Sequence, residues 1–148
     1  MDELKLSLKN CLANTFVMYF KTHAFHWNVE GIHFSQYHDF FANLYEDLYS
    51  SIDPLAENIR KLGEYAPPSL TELYTSSTLT ENSLIVGDNV KQMLNSLVVD
   101  NNQVIDCLNK TFALATDANE QGLADFIAQR IDIHKKHAWM LTSSLKGN

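Results

Sequence analysis

Four side chains of ligand type recur between residues 23 and 60: His26, His38, Asp53 and Glu57. Imidazole nitrogens and carboxylate oxygens together suit divalent iron and its first-row neighbours. Spacing limits what one chain can do with them. If His38 and Asp53 share a helix, the fifteen positions between them amount to about 22 Å of axial rise, too far for one ion. Either the four residues serve separate purposes, or a second, antiparallel copy of that helix completes the site.

The elements that must carry these residues are helical. Leu4, Leu8, Leu12, Phe16, Tyr19 and His23 repeat at three and four residues, an amphipathic helix that should end between Asn28 and Gly31. A second helix is expected from about Ser35 to Leu62, with Tyr37, Phe41, Leu44, Leu48, Leu55 and Ile59 on its apolar face and Gly63 as its C-cap. Pro67 and Pro68 force a break. In the polar stretch that follows, Ser69 and Glu72 have capping-box spacing, which predicts a short helix inside a long crossover. A third long helix takes Leu84, Val86, Val90, Met93, Leu97 and Val104, and a fourth takes Leu123, Ile127, Ile131, His134, Ala138 and Leu141. Between these two, Asp117 and Glu120 also have capping-box spacing. Two helical hairpins joined by a long crossover describe an all-α, ferritin-like four-helix bundle, a fold that builds metal sites from facing side chains. No strand pattern competes.

Composition fits a single domain spanning residues 1–148. Apolar residues make up 45% of the chain, yet no run of 18 could span a bilayer and no charged-then-apolar leader opens it, so a cytoplasmic protein with no membrane partner is expected. Eighteen acidic against eleven basic side chains give a net charge of −7, and there is no basic tail, which argues against binding DNA. Cys11 and Cys107 match no metal or redox spacing and are read as reduced, partly buried thiols. His23 with His26, and His134 with His137, sit three residues apart; without carboxylates joining them, neither pair is assigned a metal.

At about 100° per residue, His38, Ala42, Glu46, Tyr49, Asp53 and Glu57 fall within roughly one third of the helix circumference. If two copies pair antiparallel about a two-fold axis near residue 47 or 48, His38 of one comes level with Asp53 and Glu57 of the other, and His26 can supply a fourth ligand. Such an isologous pairing creates two sites per dimer. Spacing alone leaves a plainer reading open, in which Asp53 and Glu57 form a solvated helix face and His38 is an ordinary half-buried histidine.

The run HWNVEGIHF, then His38 twelve residues after His26, then Asp53 and Glu57 within IDPLAENIRKLG, resembles the Dps family of mini-ferritins, as does DANEQGLADFIAQRIDIHKKHAWML with Trp139. The likeness covers about Leu4 to Leu145. It implies a hollow shell of twelve subunits built on two-fold dimers, with ferroxidase centres at the two-fold interfaces. There ferrous iron would be oxidised by hydrogen peroxide or O2 and stored as Fe(III), protecting against oxidative damage. By the same resemblance His26 and His38 would be iron ligands from one subunit, and Asp53 and Glu57 ligands from its partner. Trp27 would lie beside the oxidation centre, although packing is its default role, and Asp117, Glu120 and Asp125 would line threefold pores.

Three residues depart from the family pattern. Ala42 stands four residues after His38 where a carboxylate ligand is usual, so the first iron position should survive while the second depends on water or on Glu46. Pro54 directly follows Asp53, removes one helical hydrogen bond and predicts a kink. Asn58 replaces an arginine beside Glu57, which would remove a supporting contact. These departures raise a second reading, a shell with an impaired centre that stores metal passively; a DNA-coating protein ranks last.

Overall fold

The computed structural model describes residues 1–81 and 84–147. It contains five helices: α1 (Asp2–Asn28), α2 (Phe34–Lys61), α3 (Leu70–Ser76), α4 (Val90–Asp117) and α5 (Gln121–Leu145). Helices α1 and α2 form one hairpin and α4 and α5 the other; α1 also packs along α4 and carries α3 on its outer side. Every long helix feeds one core, in which Leu8, Met18, Phe41, Leu48, Leu97 and Ile127 are almost fully enclosed. Among the described residues the only β-type pairing is an isolated bridge between Val29 and Gly87, and no helix is long and apolar enough to cross a membrane.

The expected boundaries hold where cap chemistry is strong. At the end of α2, Gly63 takes a left-handed φ of +83°, its N–H donates to Arg60 O, and Glu64 N–H donates to Ile59 O. This is the paired-bond stop that glycine permits at little cost, one residue beyond the C-cap Leu62. Ser69 Oγ accepts from Glu72 N at 3.2 Å and starts α3.

Two expectations are corrected. Leu84 and Val86 lie before α4, which begins only at Val90. Gly87, at φ +77°, donates its N–H to Asn28 O and accepts from Glu30 N, so this stretch is tied to the end of α1 by backbone bonds that a helix through it could not make. Asp117 and Glu120 do not form a capping box: Asp117 is the last residue of α4, Asn119 turns the chain at φ +58°, and Glu120 precedes α5 without a side-chain cap bond. Pro54 lies inside α2, which runs as one helix from Phe34 to Lys61.

Buried polar side chains fix how the hairpins meet. The Lys21 ammonium on α1 pairs with Asp100 on α4 at 2.8 Å and donates to Thr80 O at 2.7 Å, so one side chain ties two helices and the crossover. Asn14 Oδ1 holds the crossover a little earlier, accepting from Thr78 N and Ser77 Oγ. Helices α2 and α5 are joined through long side chains. Arg130 grips Asp47 with two hydrogen bonds of 3.0 and 2.9 Å, and His137 Nε2 lies 2.7 Å from the same carboxylate. His134, fully enclosed, exchanges hydrogen bonds with Asn101 on α4 through both its ring Nδ1 and its backbone carbonyl. The two C-terminal histidines left unassigned by spacing are therefore structural.

This cluster titrates with a definite sign. Burial presses the Asp47 carboxyl upward, but the hydrogen bonds and charges of His137 and Arg130 overcome it and hold it well below the usual carboxylate range. Burial, helped by Arg130 and His137, lowers His134 well below an ordinary histidine. An unfolded chain takes up a proton on His134 as pH falls through about 6.5 while the fold refuses it, so the His134 contribution to stability declines below that pH; the Asp47 contribution is lost only further down, below about pH 4. Thermal unfolding followed from pH 7 to pH 5 should show a falling midpoint, and His134→Gln should flatten that decline. An unchanged slope in the variant would remove His134 as its cause.

Candidate metal centre

The last turn of α1 supplies His26 and the first turns of α2 supply His38, and the short connection between the helices folds one against the other. Each imidazole Nδ1 lies 2.7 Å from the other residue's backbone carbonyl: His26 Nδ1 from His38 O, and His38 Nδ1 from His26 O. A carbonyl can only accept, so each Nδ1 carries the hydrogen and each neutral ring keeps its lone pair on Nε2. Among the described residues no side chain or backbone group is bonded to either Nε2. Donation of the other ring nitrogen to a carbonyl is the arrangement that fixes tautomer and orientation in metal-binding histidines.

Aromatic contacts hold the rings in place. His26 and His38 stack with centroids 3.7 Å apart and 18° between planes, Phe34 lies on His38, and Tyr45 meets His26 edge-on at 5.2 Å. Tyr45 also stacks on His23 at 3.8 Å, and Tyr19 Oη hydrogen-bonds His23 Nδ1 at 2.9 Å. Burial lowers the His23 pKa, as would protonation of the neighbouring His26, so the packing favours His23 as a neutral ring. Trp27 touches His23 and Phe20 but is 56% exposed, so packing within one subunit engages only part of it.

Asp53 and Glu57 are placed differently. Both are exposed on α2, and because α2 is one helix, the separation of about 22 Å from His38 to Asp53 stands. Among the described residues of one chain, no group of three or more histidine, cysteine or acidic side chains could hold a metal. One chain thus brings the two histidines together and leaves the two carboxylates apart from them on the same helix. Ala42, one turn beyond His38, adds no donor, and Glu46 is exposed. Asn58 donates its side-chain amide to Pro54 O at 2.8 Å, occupying itself within α2. What spacing could not have revealed is the pair of histidine-to-carbonyl bonds, which depends on the α1–α2 crossing.

Residues 6–147 match the family model described as a ferritin-like domain. A low temperature-induced protein of Nostoc is 34% identical over 95% of this chain and 78% of its own length. A DNA protection during starvation protein of Brevibacillus brevis is 30% identical, over 94% and 92% respectively. The crystal structure of a Dps protein from Vibrio cholerae, described as belonging to a broad superfamily of ferritin-like diiron-carboxylate proteins, superposes with a TM-score of 0.92 at 28% identity, covering 98% of this chain and 90% of that one.

Proposed function

The chain belongs to the ferritin-like family, in its Dps branch, a family of iron storage and protection, and from that premise we propose that it is a mini-ferritin that oxidises ferrous iron with hydrogen peroxide or O2 and retains Fe(III) inside a twelve-subunit cage. Its iron-binding residues are His26 and His38 of one subunit with Asp53 and Glu57 of the two-fold partner. The observation that carries this reading is the reciprocal bonding of His26 and His38, which presents two neutral Nε2 lone pairs and no third ligand in the same subunit. Antiparallel pairing of α2 across a two-fold axis supplies the missing carboxylates to both subunits at once.

The donor set suits iron as substrate. Neutral imidazoles accept Fe(II) without the cost of burying extra charge, and the two carboxylates offset the additional positive charge that oxidation creates. The Nδ1 hydrogens of His26 and His38 are already committed to backbone carbonyls, so binding through Nε2 needs no change of tautomer. Asp53 and Glu57, exposed on the separate chain, remain hydrated until subunits meet. Oxidation is thereby coupled to assembly.

Single substitutions His38→Ala and Glu57→Ala should each abolish the fast phase of Fe(II) oxidation in stopped-flow measurements. Co-assembly of the two variants is more discriminating. Where unlike subunits pair, one of the two shared sites has both defects and the other has neither, so random mixing restores about a quarter of the sites. Mixed shells as inactive as the single variants would overturn the intersubunit assignment.

Ala42 supports the second reading, passive storage behind an impaired centre. Under the leading proposal, wild type oxidises iron in a fast phase and Ala42→Asp, by adding a carboxylate one turn from His38, speeds the slower part of the reaction. A wild type with no fast phase, gaining one only in Ala42→Asp, would establish the impaired centre instead. For a DNA-coating role the net charge of −7 is the wrong sign, and duplex mobility at physiological salt should be unchanged by the protein. Retardation would reverse that ranking.

A further inference from the structure

Cys11 and Cys107 are distant in sequence but adjacent in the fold. Cys11 sits on α1 and Cys107 on α4, with their sulfur atoms 2.9 Å apart and the Cys11 thiol donating to Cys107. Neither sulfur is in a disulfide. Cys11 is completely enclosed, whereas Cys107 is partly exposed. Around them Thr111 Oγ1 lies 3.1 Å from the Cys11 sulfur and 2.6 Å from Ser7 Oγ, so a small polar pocket surrounds the thiols instead of hydrocarbon alone. The pair is fifteen residues before His26 on α1, about 22 Å along the helix. It is separate from the iron site.

We propose that Cys107 and Cys11 form a peroxide-reactive dithiol, in which Cys107 is the residue attacked by hydrogen peroxide and Cys11 resolves it into a disulfide that ties α1 to α4. The asymmetry between the sulfurs assigns the order. Cys107 is the partly exposed residue of the two and Cys11 the enclosed one, so hydrogen peroxide has the easier approach to Cys107; reactive thiols are those with thiolate character and access. Both properties favour Cys107: the Cys11 hydrogen bond lowers its pKa, the Lys110 charge lowers it further, and burial opposes them, while burial raises Cys11, and its contact with Cys107 adds to the rise.

The chemistry balances without any further reactant. The Cys107 thiolate attacks one peroxide oxygen, an S–O bond forms, the O–O bond breaks, and the departing hydroxide leaves as water with the proton that the Cys107 thiol gave up. The Cys11 sulfur then attacks the sulfenic sulfur of Cys107; the S–S bond forms, the S–O bond breaks, and a second water leaves with the Cys11 proton. Two thiols lose two electrons, and one peroxide becomes two waters. Closing the sulfur separation from 2.9 Å to a bond of about 2.05 Å needs a shift of about 0.9 Å, within reach of side-chain rotation.

The proposal is independent of the iron-site assignment and is tested with iron absent. Assembled wild-type protein, held in a chelator, is treated with a modest excess of hydrogen peroxide and followed by intact mass and thiol alkylation. The expected result is a mass loss of about 2 Da, simultaneous loss of both alkylatable thiols, one peptide linking Cys11 to Cys107 of the same chain, and recovery by dithiothreitol. In Cys11→Ser, Cys107 should be captured as a dimedone adduct; in Cys107→Ser, Cys11 should survive the same dose. A wild type that instead gains about 32 or 48 Da with no linked peptide overturns the proposal. So does Cys11 reacting as readily in Cys107→Ser as Cys107 does in Cys11→Ser. The wild-type mass measurement decides the question even if either variant fails to fold.

Discussion

A hydrogen-bonded helix cannot bend back on itself, and everything else about the proposed metal centre depends on that stiffness in α2. The helix runs from Phe34 to Lys61 with Pro54 inside it, so His38 at one end and Asp53 and Glu57 toward the other hold a fixed separation. Under the proposed function, this rod carries half a site at each end, useless alone and complete when it meets its own antiparallel copy. If His38, Asp53 and Glu57 share a metal, the separation that rules out a site in one chain demands two. Proline at position 54 is tolerated because one lost hydrogen bond is a local cost, while the core residues Leu48, Leu55 and Ile59 on either side keep α2 seated.

The histidine half of the proposed site is held by the hairpin, not by α2 alone. Each ring of the His26–His38 pair donates to the backbone of the other's helix, so the same contacts close the end of the α1–α2 hairpin and set both tautomers. Structure and chemistry share the bonds. Replacing either histidine by a residue without an Nδ1 donor would loosen the hairpin end as well as delete a proposed ligand. Support comes from packing too: Phe34, Tyr45 and His23 stack around the rings and limit their rotation.

Elsewhere the bundle uses charge where an apolar core would have served for burial alone. Lys21 with Asp100, and Asp47 with Arg130 and His137, lie between helices whose faces are otherwise hydrophobic. Such pairs add little net stability because desolvation offsets the attraction. They do fix register, since sliding a helix by one turn would strand a charge without its partner. Burial outweighs the nearby ammonium enough to raise the Asp100 carboxyl above its ordinary value, a measure of how closed this seam is. At the far end of α1, the same closeness between helices brings Cys11 and Cys107 within bonding reach.

The sequence by itself determined the helices and the ligand types. Three- and four-residue periodicity is a property of the chain, so α1, α2, α4 and α5 could be read directly; Ser69 before Glu72 and Gly63 after α2 marked boundaries because their chemistry is local. Axial rise along one helix was equally legible, and with it the conclusion that His38 and Asp53 cannot share a metal in one subunit. Only the tertiary structure decided what depends on crossing helices. Leu84 and Val86 continued an apolar pattern, yet the pairing of Gly87 with the end of α1 pulled them out of α4. Asp117 and Glu120 had capping spacing, but the left-handed turn at Asn119 left them on different elements. The histidine-to-carbonyl bonds, the Asp47 cluster and the two adjoining thiols join residues from 12 to 96 positions apart, and no local pattern encodes such a meeting. It arises because burying the apolar faces of four helices in one core brings their remaining polar groups together in pairs.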